Sequence, residues 1–275
     1  MTSTSPPIAL TIAGSDPSGG AGIQADLKTF TALGVYGASV ITALTAQNTL
    51  GVFGIHKVPA DFIAAQFHAV TSDLTISAAK TGMLGDVDTV AAVVALLKQK
   101  IPPHLVVDPV MVATSGDRLL DANAISAVRG QLIPLADLIT PNLAEAAALL
   151  DTTPAKSGSE ALAQARRLLN LGCRAVLVKG GHSEGAEAVD FLVTSDSEHT
   201  LSRPRVDTRN THGTGCTLAA AITAGLAQGQ NLTAAAQHAK HFVWEALQSG
   251  AHQKIGAGSS PVDHLFLVRK QPFFR

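Results

Sequence analysis

Asn210-Thr211-His212-Gly213-Thr214-Gly215-Cys216 is a glycine turn that leads directly into a predicted helix over residues 218–227. The first backbone N–H groups of a helix have no partner inside it, and the helix dipole adds roughly half a positive charge there. The turn therefore predicts an anion site of the kind that binds phosphate. A helix N-terminus lowers the pKa of a thiol, so Cys216 is a candidate proton acceptor beside that site. The alternative is a tight turn followed by an inert, buried cysteine.

The rest of the chain alternates between strand and helix patterns. Short apolar strands are predicted over residues 8–13, 38–46, 76–80, 105–107, 138–139 and 175–178, with helical patterns between them and a hairpin over residues 188–203. Such alternation predicts a mostly parallel sheet covered by helices on both faces. Because no linker separates two cores, residues 8–275 are expected to form one α/β domain, preceded by a disordered lead over residues 1–7.

Composition and charge exclude several classes of protein. The 275 residues carry 20 Lys and Arg against 21 Asp and Glu, and a net charge of −1 gives no footprint for nucleic acid or an anionic membrane. The apolar run over residues 218–226 is too short to span a bilayer. Two cysteines do not make a disulfide framework, and no basic residue precedes Lys28, as a targeting signal would require. A cytoplasmic protein is therefore expected.

Polar or glycine residues follow the predicted strands along the chain. They are Gly14, Gln47, Gly82, Asp108, Asn142 and Lys179. The carboxyl ends of parallel strands meet at one edge of a sheet, and open α/β folds bind their ligands there. These residues are therefore expected to form one site together with the glycine turn.

The residue types expected at this edge suit phosphoryl transfer. Asp108, Asn142 and Glu145 supply oxygen ligands of the kind that Mg²⁺ accepts, usually through waters. Lys179 can contact phosphate, and the glycine turn can hold the transferring group. Phosphoryl transfer mainly requires positioning and charge stabilisation, and these parts supply both. The P-loop signature G-x-x-x-x-G-K-[ST] and the dinucleotide spacing G-x-G-x-x-G are both missing, which disfavours a P-loop enzyme and an NAD-dependent oxidoreductase.

The motifs taken together resemble those of the ribokinase-like superfamily, whose anion loop reads G-x-G-[DC] and whose metal motif reads N-x-x-E. Within it, the chain closely resembles the hydroxymethylpyrimidine/phosphomethylpyrimidine kinases of thiamin biosynthesis. The resemblance rests on residues 11–28 (TIAGSDPSGGAGIQADLK), 46–49 (AQNT), 108–111 (DPVM), 140–145 (TPNLAE), 179–182 (KGGH) and 211–216 (THGTGC). It implies a single-domain three-layer sandwich with a central sheet.

The resemblance implies an enzyme that uses ATP to phosphorylate 4-amino-5-hydroxymethyl-2-methylpyrimidine and then phosphorylates the monophosphate. The catalytic residues would be Cys216 as the base and Gly213, Thr214 and Gly215 as the anion hole. The pyrimidine would contact Gly14, Asp26, Gln47, Met83 and Val110. ATP would contact Lys179, Asn142, Thr211 and Lys240, and Mg²⁺ would be organised by Asp108, Asn142 and Glu145. The implied assembly is a homodimer that binds neither nucleic acid nor membranes.

Other interpretations remain open from the sequence. A pyridoxal kinase would share the fold and the cysteine form of the anion loop, and a non-catalytic pyrimidine sensor could retain the pocket. Thr114 stands where the family often has lysine, which removes or relocates one charge near phosphate. His212 is expected to have a packing or turn role, and His238 with His241 to lie on a solvated helix face. An exposed position for Lys240 is as consistent with the sequence as a nucleotide contact.

Overall fold

The computed structural model describes residues 5–111, 120, 122–181 and 185–270 of the chain. Its strands are β1 (Ile8–Ala13), β2 (Tyr36–Ile41), β3 (Ala43–Asn48), β4 (Gly51–Lys57), β5 (Ala78–Thr81), β6 (Leu105–Val107), β7 (Leu138–Ile139), β8 (Ala175–Lys179), β9 (Glu187–Thr194) and β10 (Glu198–Pro204). Its α-helices are α1 (Gly22–Ala32), α2 (Ala60–Asp73), α3 (Val87–Gln99), α4 (Ala122–Ala127), α5 (Leu143–Leu150), α6 (Gly158–Leu169), α7 (Thr214–Ala227), α8 (Leu232–Gly250) and α9 (Phe266–Arg269).

An eight-stranded sheet forms the middle layer, in the order β10-β9-β8-β7-β6-β5-β1-β2. The strands from β8 to β2 run parallel to one another, whereas β9 and β10 are antiparallel additions at one edge. The predicted mostly parallel sheet and the predicted hairpin are therefore confirmed. The carboxyl ends of β1, β5, β6, β7 and β8 all reach the same edge of the sheet.

Helices cover both faces of this sheet, which confirms the three-layer sandwich. On one face, α2 and α3 contribute buried side chains such as Phe67 and Val93 to the larger hydrophobic cluster. On the other face, α7 and α8 contribute Ile222 and Phe242 to a second cluster. Residues 217–226 of α7 are all buried, as expected for a helix that is apolar on every side and packs between α1, α8 and the sheet. Among the helices of the described residues, none has both the length and the apolar character that a membrane span requires.

A separate two-stranded sheet, formed by β3 and β4, stands beside the main sheet. We call residues 43–57 the flap. The sequence predicts one strand over residues 38–46, and this prediction is wrong because the chain turns at Thr42. The Thr42 N–H donates to Ala13 O and its hydroxyl donates to Met83 O, so β2 ends and the chain leaves the main sheet. Gln47 consequently lies on the flap and not at the end of a main-sheet strand.

The residues just before β1 contact the main sheet. Pro7 O accepts a hydrogen bond from the Tyr36 N–H at the start of β2, at 2.9 Å. Pro7, at the end of the segment predicted as a disordered lead, is therefore hydrogen-bonded to the main sheet. Residues 1–4 and the tail from residue 271 onward lie outside the described residues.

Candidate active site

A cavity of about 500 Å³ opens at the edge where the parallel strands end, beside the flap. Of the residues predicted for the site, those that line it are Gly14, Gln47, Gly82, Met83, Asp108, Val110, Asn142, Glu145, Lys179, Thr211, Gly213, Thr214, Gly215, Cys216 and Lys240. Asp26 is not among the lining residues. The structure thus brings the predicted residues together around one cavity. Asp26 is the exception, and its position is described below.

The glycine turn places the start of α7 against the glycine loop that follows β1. Gly213 is the N-cap of α7 and has a φ of 78°, in the left-handed region that favours glycine. A Cβ on Gly213 would lie 1.8 Å from Gly20 O, and no side-chain rotation could relieve this contact between backbones. Thr214 to Cys216 line the cavity, and because the Thr214 N–H already donates to Thr211 O at 3.2 Å, the N–H groups of Gly215 and Cys216 are the ones left for a ligand at its wall.

The Asp16 side chain hydrogen-bonds both to the glycine loop after β1 and to the glycine turn before α7. Its carboxylate accepts hydrogen bonds from the hydroxyl and N–H of Ser18 and from the N–H groups of Gly20 and Ala21. Its Oδ2 lies 2.7 Å from His212 Nε2, which gives His212 the expected packing role. Burial alone would raise the pKa of Asp16, but the hydrogen bonds from His212 and Ser18 lower it to about 2. Sequence reasoning missed Asp16, although Asp followed two residues later by Ser is a signal for a side-chain-stabilised turn.

Cys216 lies in the first turn of α7, deep in the cavity and only partly exposed. Burial raises the pKa of its thiol to about 11, Lys80 acts to lower it, and Asp26 and Asp108 raise it further. The predicted lowering of this pKa is therefore wrong, because desolvation outweighs the favourable helix N-terminus. The thiol is protonated at neutral pH.

A fully buried ion pair lies close to Cys216. Lys80 Nζ is 2.8 and 2.9 Å from the two carboxylate oxygens of Asp26, and Thr11 Oγ1 donates to Asp26 Oδ2 at 2.6 Å. Asp26, which was expected to contact the substrate ring, is bonded to these partners and does not line the cavity, whereas Lys80 does. Burial opposes the charge on Lys80, but Asp26, Cys216 and Asp108 outweigh it and raise the pKa of Lys80. The available signal was a lysine inside an otherwise small and apolar strand.

Lys179 lies between the two carboxylates that were expected to organise Mg²⁺. Its Nζ is 2.9 Å from Asp108 Oδ1 and 3.8 Å from Glu145 Oε2. Asn142 and Glu145 form a reciprocal capping box at the start of α5, in which each side chain accepts the backbone N–H of the other. Asn142 is therefore the N-cap of α5, and Glu145 is the third residue of that helix. Burial raises the pKa of Glu145 to about 7, with Lys179 opposing and Asp108 adding to the shift.

These residues do not form a closed metal cage. Within the described part of the chain, no three acidic, histidine or cysteine side chains are arranged to hold a metal ion. Asp108 and Glu145 nevertheless present two carboxylates to the cavity, and Asp108 Oδ2 is 4.0 Å from where a Cβ on Gly215 would stand. Mg²⁺ commonly keeps several waters and is bound by one or two carboxylates together with substrate phosphates. The donor set fits such an ion and does not fit a metal held by protein ligands alone.

One end of the cavity is bounded by the glycine loop and the flap. It is lined by Gly14, Thr45, Gln47, Met83 and Val110. Thr45 Oγ1 lies 2.9 Å from Ser15 O and 3.2 Å from Gln47 Oε1, so the Gln47 amide is held relative to the glycine loop. A Cβ on Gly14 would stand 2.6 Å from Met83 Cε, so glycine leaves the room that Met83 occupies. This end suits a small flat ring with polar substituents.

The opposite end of the cavity is bounded by α8 and β10. The α8 residues that line it are Lys240, Val243, Trp244 and Leu247. Lys240 Nζ is 2.7 Å from Asp190 Oδ2, and its side chain is only 11% exposed, so the alternative of an exposed lysine is wrong. Arg203 Nε is buried at this end and has no hydrogen-bond partner in the described part of the chain. An acceptor on a bound molecule would satisfy it.

Two remaining expectations concern residues away from the cavity. His238 is exposed on α8 with its Nδ1 2.9 Å from Gln230 Oε1, and His241 is exposed beside Glu245. Both contacts agree with a solvated helix face. Thr114 lies outside the described residues.

The sequence matches the profile of the phosphomethylpyrimidine kinase family over residues 16–263. A hydroxymethylpyrimidine/phosphomethylpyrimidine kinase from Salmonella typhimurium is 52% identical over 93% of this chain and 96% of its own length. One from Escherichia coli is 50% identical over the same shares. Among solved structures, the pyridoxal kinase of Bacillus subtilis in complex with ADP gives a TM-score of 0.89 at 36% identity, over 97% of this chain and 100% of its own. The phosphomethylpyrimidine kinase of Clostridium difficile gives 0.78 at 43% identity, over 87% and 99%.

Proposed function

This chain belongs to the phosphomethylpyrimidine kinase family, and we propose that it phosphorylates 4-amino-5-hydroxymethyl-2-methylpyrimidine with ATP and then phosphorylates the monophosphate. As a member of that family it is a phosphotransferase of thiamine biosynthesis. The observation that carries the proposal is the position of the anion loop, Gly213 to Cys216. It lies between an end of the cavity that suits a small ring and an end that offers Arg203 and Trp244 to a nucleotide.

In this proposal, different residues of the cavity act on different groups of the reaction. The nucleophilic hydroxyl would lie beside Cys216. The transferring phosphoryl group would lie against the first N–H groups of α7, where the helix dipole favours negative charge. Lys179, oriented by Asp108, supplies a positive charge at the same wall. A loose transition state depends mainly on such positioning and charge compensation.

Nucleotide and metal would be held on the side of the cavity away from the flap. Arg203 has an unsatisfied buried Nε that a nucleotide acceptor would complete, and Thr211 and Lys240 line the same wall. Asp108 and Glu145 are the residues that would hold Mg²⁺ together with ATP phosphates, while Asn142 keeps Glu145 in place through its cap. The ion would supply further charge compensation at the transferring group.

The proposal is tested by a substrate screen that measures ATP consumption. We expect turnover with the hydroxymethylpyrimidine and with its monophosphate, and much weaker turnover with pyridoxal. A pyridoxal kinase is the second candidate, because the fold is close to that of the Bacillus subtilis enzyme. Preference for pyridoxal would establish that candidate, and pyrimidine binding without ATP consumption would indicate a sensor.

The assembly and the compartment are proposals as well. A homodimer is supported by apolar side chains on the flap, since Leu50 is 62% exposed and Phe53 is 70% exposed. A cytoplasmic location is supported by Cys173 and Cys216, which are both free thiols. Light scattering on the purified protein measures the assembly directly.

Gln47→Leu is expected to lower kcat/KM for the pyrimidine about tenfold or more, with a smaller effect on pyridoxal. An amide can accept from an exocyclic amino group and donate to a ring nitrogen, and the leucine leaves those groups unpaired at a cost of about 1–3 kcal/mol. About 1.4 kcal/mol corresponds to one decade. Steady-state kinetics with both substrates check this. Equal losses for the two would mean that Gln47 supports the flap without selecting the ring.

Glu145→Gln is expected to raise the Mg²⁺ concentration needed for half-maximal turnover about tenfold. Glutamine removes the negative charge but keeps an oxygen that can accept the Asn142 N–H, so the cap of α5 and the fold should survive. A Mg²⁺ titration at saturating ATP measures the effect, and thermal melting verifies the fold. An unchanged titration in a folded variant would move the metal role to other residues.

A further inference from the structure

The segment between α8 and α9, residues 255–263, runs from the flap to the anion loop, and we call it the strap. At one end Asp263 accepts a hydrogen bond from Ser249 of α8, at 2.6 Å. Within the strap, the Ser260 hydroxyl lies 3.0 Å from Ile255 N and 3.1 Å from Ile255 O, so residues 255–260 form a hydrogen-bonded loop. The strap therefore has a defined conformation that is anchored to the body of the protein.

The strap holds the turn of the flap at Thr49. The Gly258 N–H donates to Thr49 Oγ1 and the Ser259 N–H donates to Thr49 O, both at 3.1 Å. The two backbones are so close that a Cβ on Gly258 would lie 1.9 Å from Thr49 O. An isolated two-stranded hairpin is only marginally stable, so these contacts help to fix the flap and with it Gln47.

The strap also pairs with the residues just before the anion loop. The Ser259 hydroxyl donates to Arg209 O at 2.7 Å. The His212 N–H donates to Ser260 O at 3.3 Å, and the Val262 N–H donates to His212 O at 3.2 Å. The N–H and the C=O of His212 are thus both hydrogen-bonded to the strap, immediately before the first glycine of the anion loop.

We propose that the strap sets the position of the anion loop relative to the flap, and that Thr49 and Gly258 are positioning residues for phosphoryl transfer. Neither residue is among those that line the cavity. One backbone segment contacts both the hairpin that carries Gln47 and the loop that carries Cys216. A shift of either contact moves the ring away from the transferring group, and small misplacements of reacting groups cost rate steeply. The kinetic part of this inference rests on the proposed function, whereas the physical link does not.

Gly258→Ala breaks the link, because its Cβ would collide with Thr49 O. We expect kcat/KM for the pyrimidine to fall about tenfold or more, the effect of losing two hydrogen bonds, with the affinity for ATP unchanged. Trp244 is the one tryptophan of the chain and lines the nucleotide end, so its fluorescence reports ATP binding directly. Gly130→Ala is the matched control, since a Cβ there meets nothing within 4 Å and should leave both measurements at their wild-type values.

Hydrogen exchange tests the link without substrate, so its result is independent of the proposed function. In the Gly258→Ala protein we expect faster exchange in residues 43–57, in residues 209–213 and in the strap itself, with the rest of the chain unchanged. Unchanged exchange in residues 209–213 would overturn the proposal. A uniform increase along the chain with a lower Tm would overturn it as well, because it would show a merely structural role.

A second pair of variants decides the question if Gly258→Ala does not fold. Thr49→Ser keeps the hydroxyl that accepts from the Gly258 N–H and should retain the wild-type kcat/KM. Thr49→Val removes the hydroxyl and should lose about threefold to tenfold, through kcat and not through ATP affinity. Equal activity of the serine and valine variants would contradict the proposal.

Discussion

Gly213→Ala is expected to lower kcat for both phosphorylation steps by at least about 10²–10³-fold. The new Cβ would lie 1.8 Å from Gly20 O, 2.8 Å from the Gly20 carbonyl carbon and 3.3 Å from Ala21 Cα. All three are backbone atoms, so one of the two loops must move as a unit. That movement takes the first N–H groups of α7 away from the transferring phosphoryl group. Steady-state kinetics with the pyrimidine and its monophosphate measure the two steps separately.

Variants at two other glycines distinguish the effect of this collision from the effect of backbone strain. Gly34 has a φ of 74°, close to the 78° of Gly213, but a Cβ there meets nothing within 4 Å. Gly34→Ala therefore carries a similar strain of roughly 1–2 kcal/mol and should keep wild-type activity in a folded protein. Gly215→Ala would place its Cβ 3.2 Å from Lys179 Nζ, the flexible end of a side chain, so its loss should be smaller. Similar losses in the Gly34 and Gly213 variants would show that strain, and not the collision, is responsible.

The parallel part of the sheet could be predicted because its strands are short apolar runs bounded by turns. The predicted residues 105–107 coincide with β6, and residues 175–178 lie within β8. The flap could not be predicted in the same way. Gly51 and Gly54 weaken the strand pattern of β4, and part of the contacts that support the hairpin come from the strap, some two hundred residues further along the chain.

Most of the predicted site residues do line the cavity, because the carboxyl ends of parallel strands share one edge. The pairing of charges among them could not be predicted. Asp26 was expected at the substrate ring, but Lys80 binds its carboxylate from 54 positions away. Lys179 was expected at phosphate, and it is also bonded to Asp108 from 71 positions away. Ion pairs over such separations leave no periodic signal in the sequence, and they determine how much free charge each group offers a ligand.

The thiol of Cys216 was misjudged for a related reason. A helix N-terminus at the surface lowers a thiol pKa, and the glycine turn was correctly placed at such a terminus. The desolvation by the surrounding protein is not visible in the local sequence, and it raises the pKa to about 11. Any role of Cys216 as a base must therefore operate from a small thiolate fraction at neutral pH.

Cys216→Ala is expected to lower kcat for the first phosphorylation by about 10²–10⁴-fold, with ATP affinity nearly unchanged. The hydroxymethyl group must lose a proton as it attacks, and Cys216 is placed in the first turn of α7 to accept it. In the second step the nucleophile is a phosphate that is already largely ionised, so this step should lose much less. The ratio of the two losses separates a base from a disturbed anion loop, because a disturbed loop slows both steps.

The pH dependence of the first step gives an independent measurement. With a thiol pKa near 11, the thiolate fraction at Cys216 grows about tenfold for each pH unit below that value. The first-step kcat should therefore rise with pH between about 7 and 9 in the wild type, and this rise should be lost in Cys216→Ala. Cys216→Ser provides the matched control, since its hydroxyl has similar size and remains protonated throughout. A wild-type rate that is flat over this range, together with equal losses in both steps, would assign the proton to another acceptor and leave Cys216 with a packing role beside Lys80.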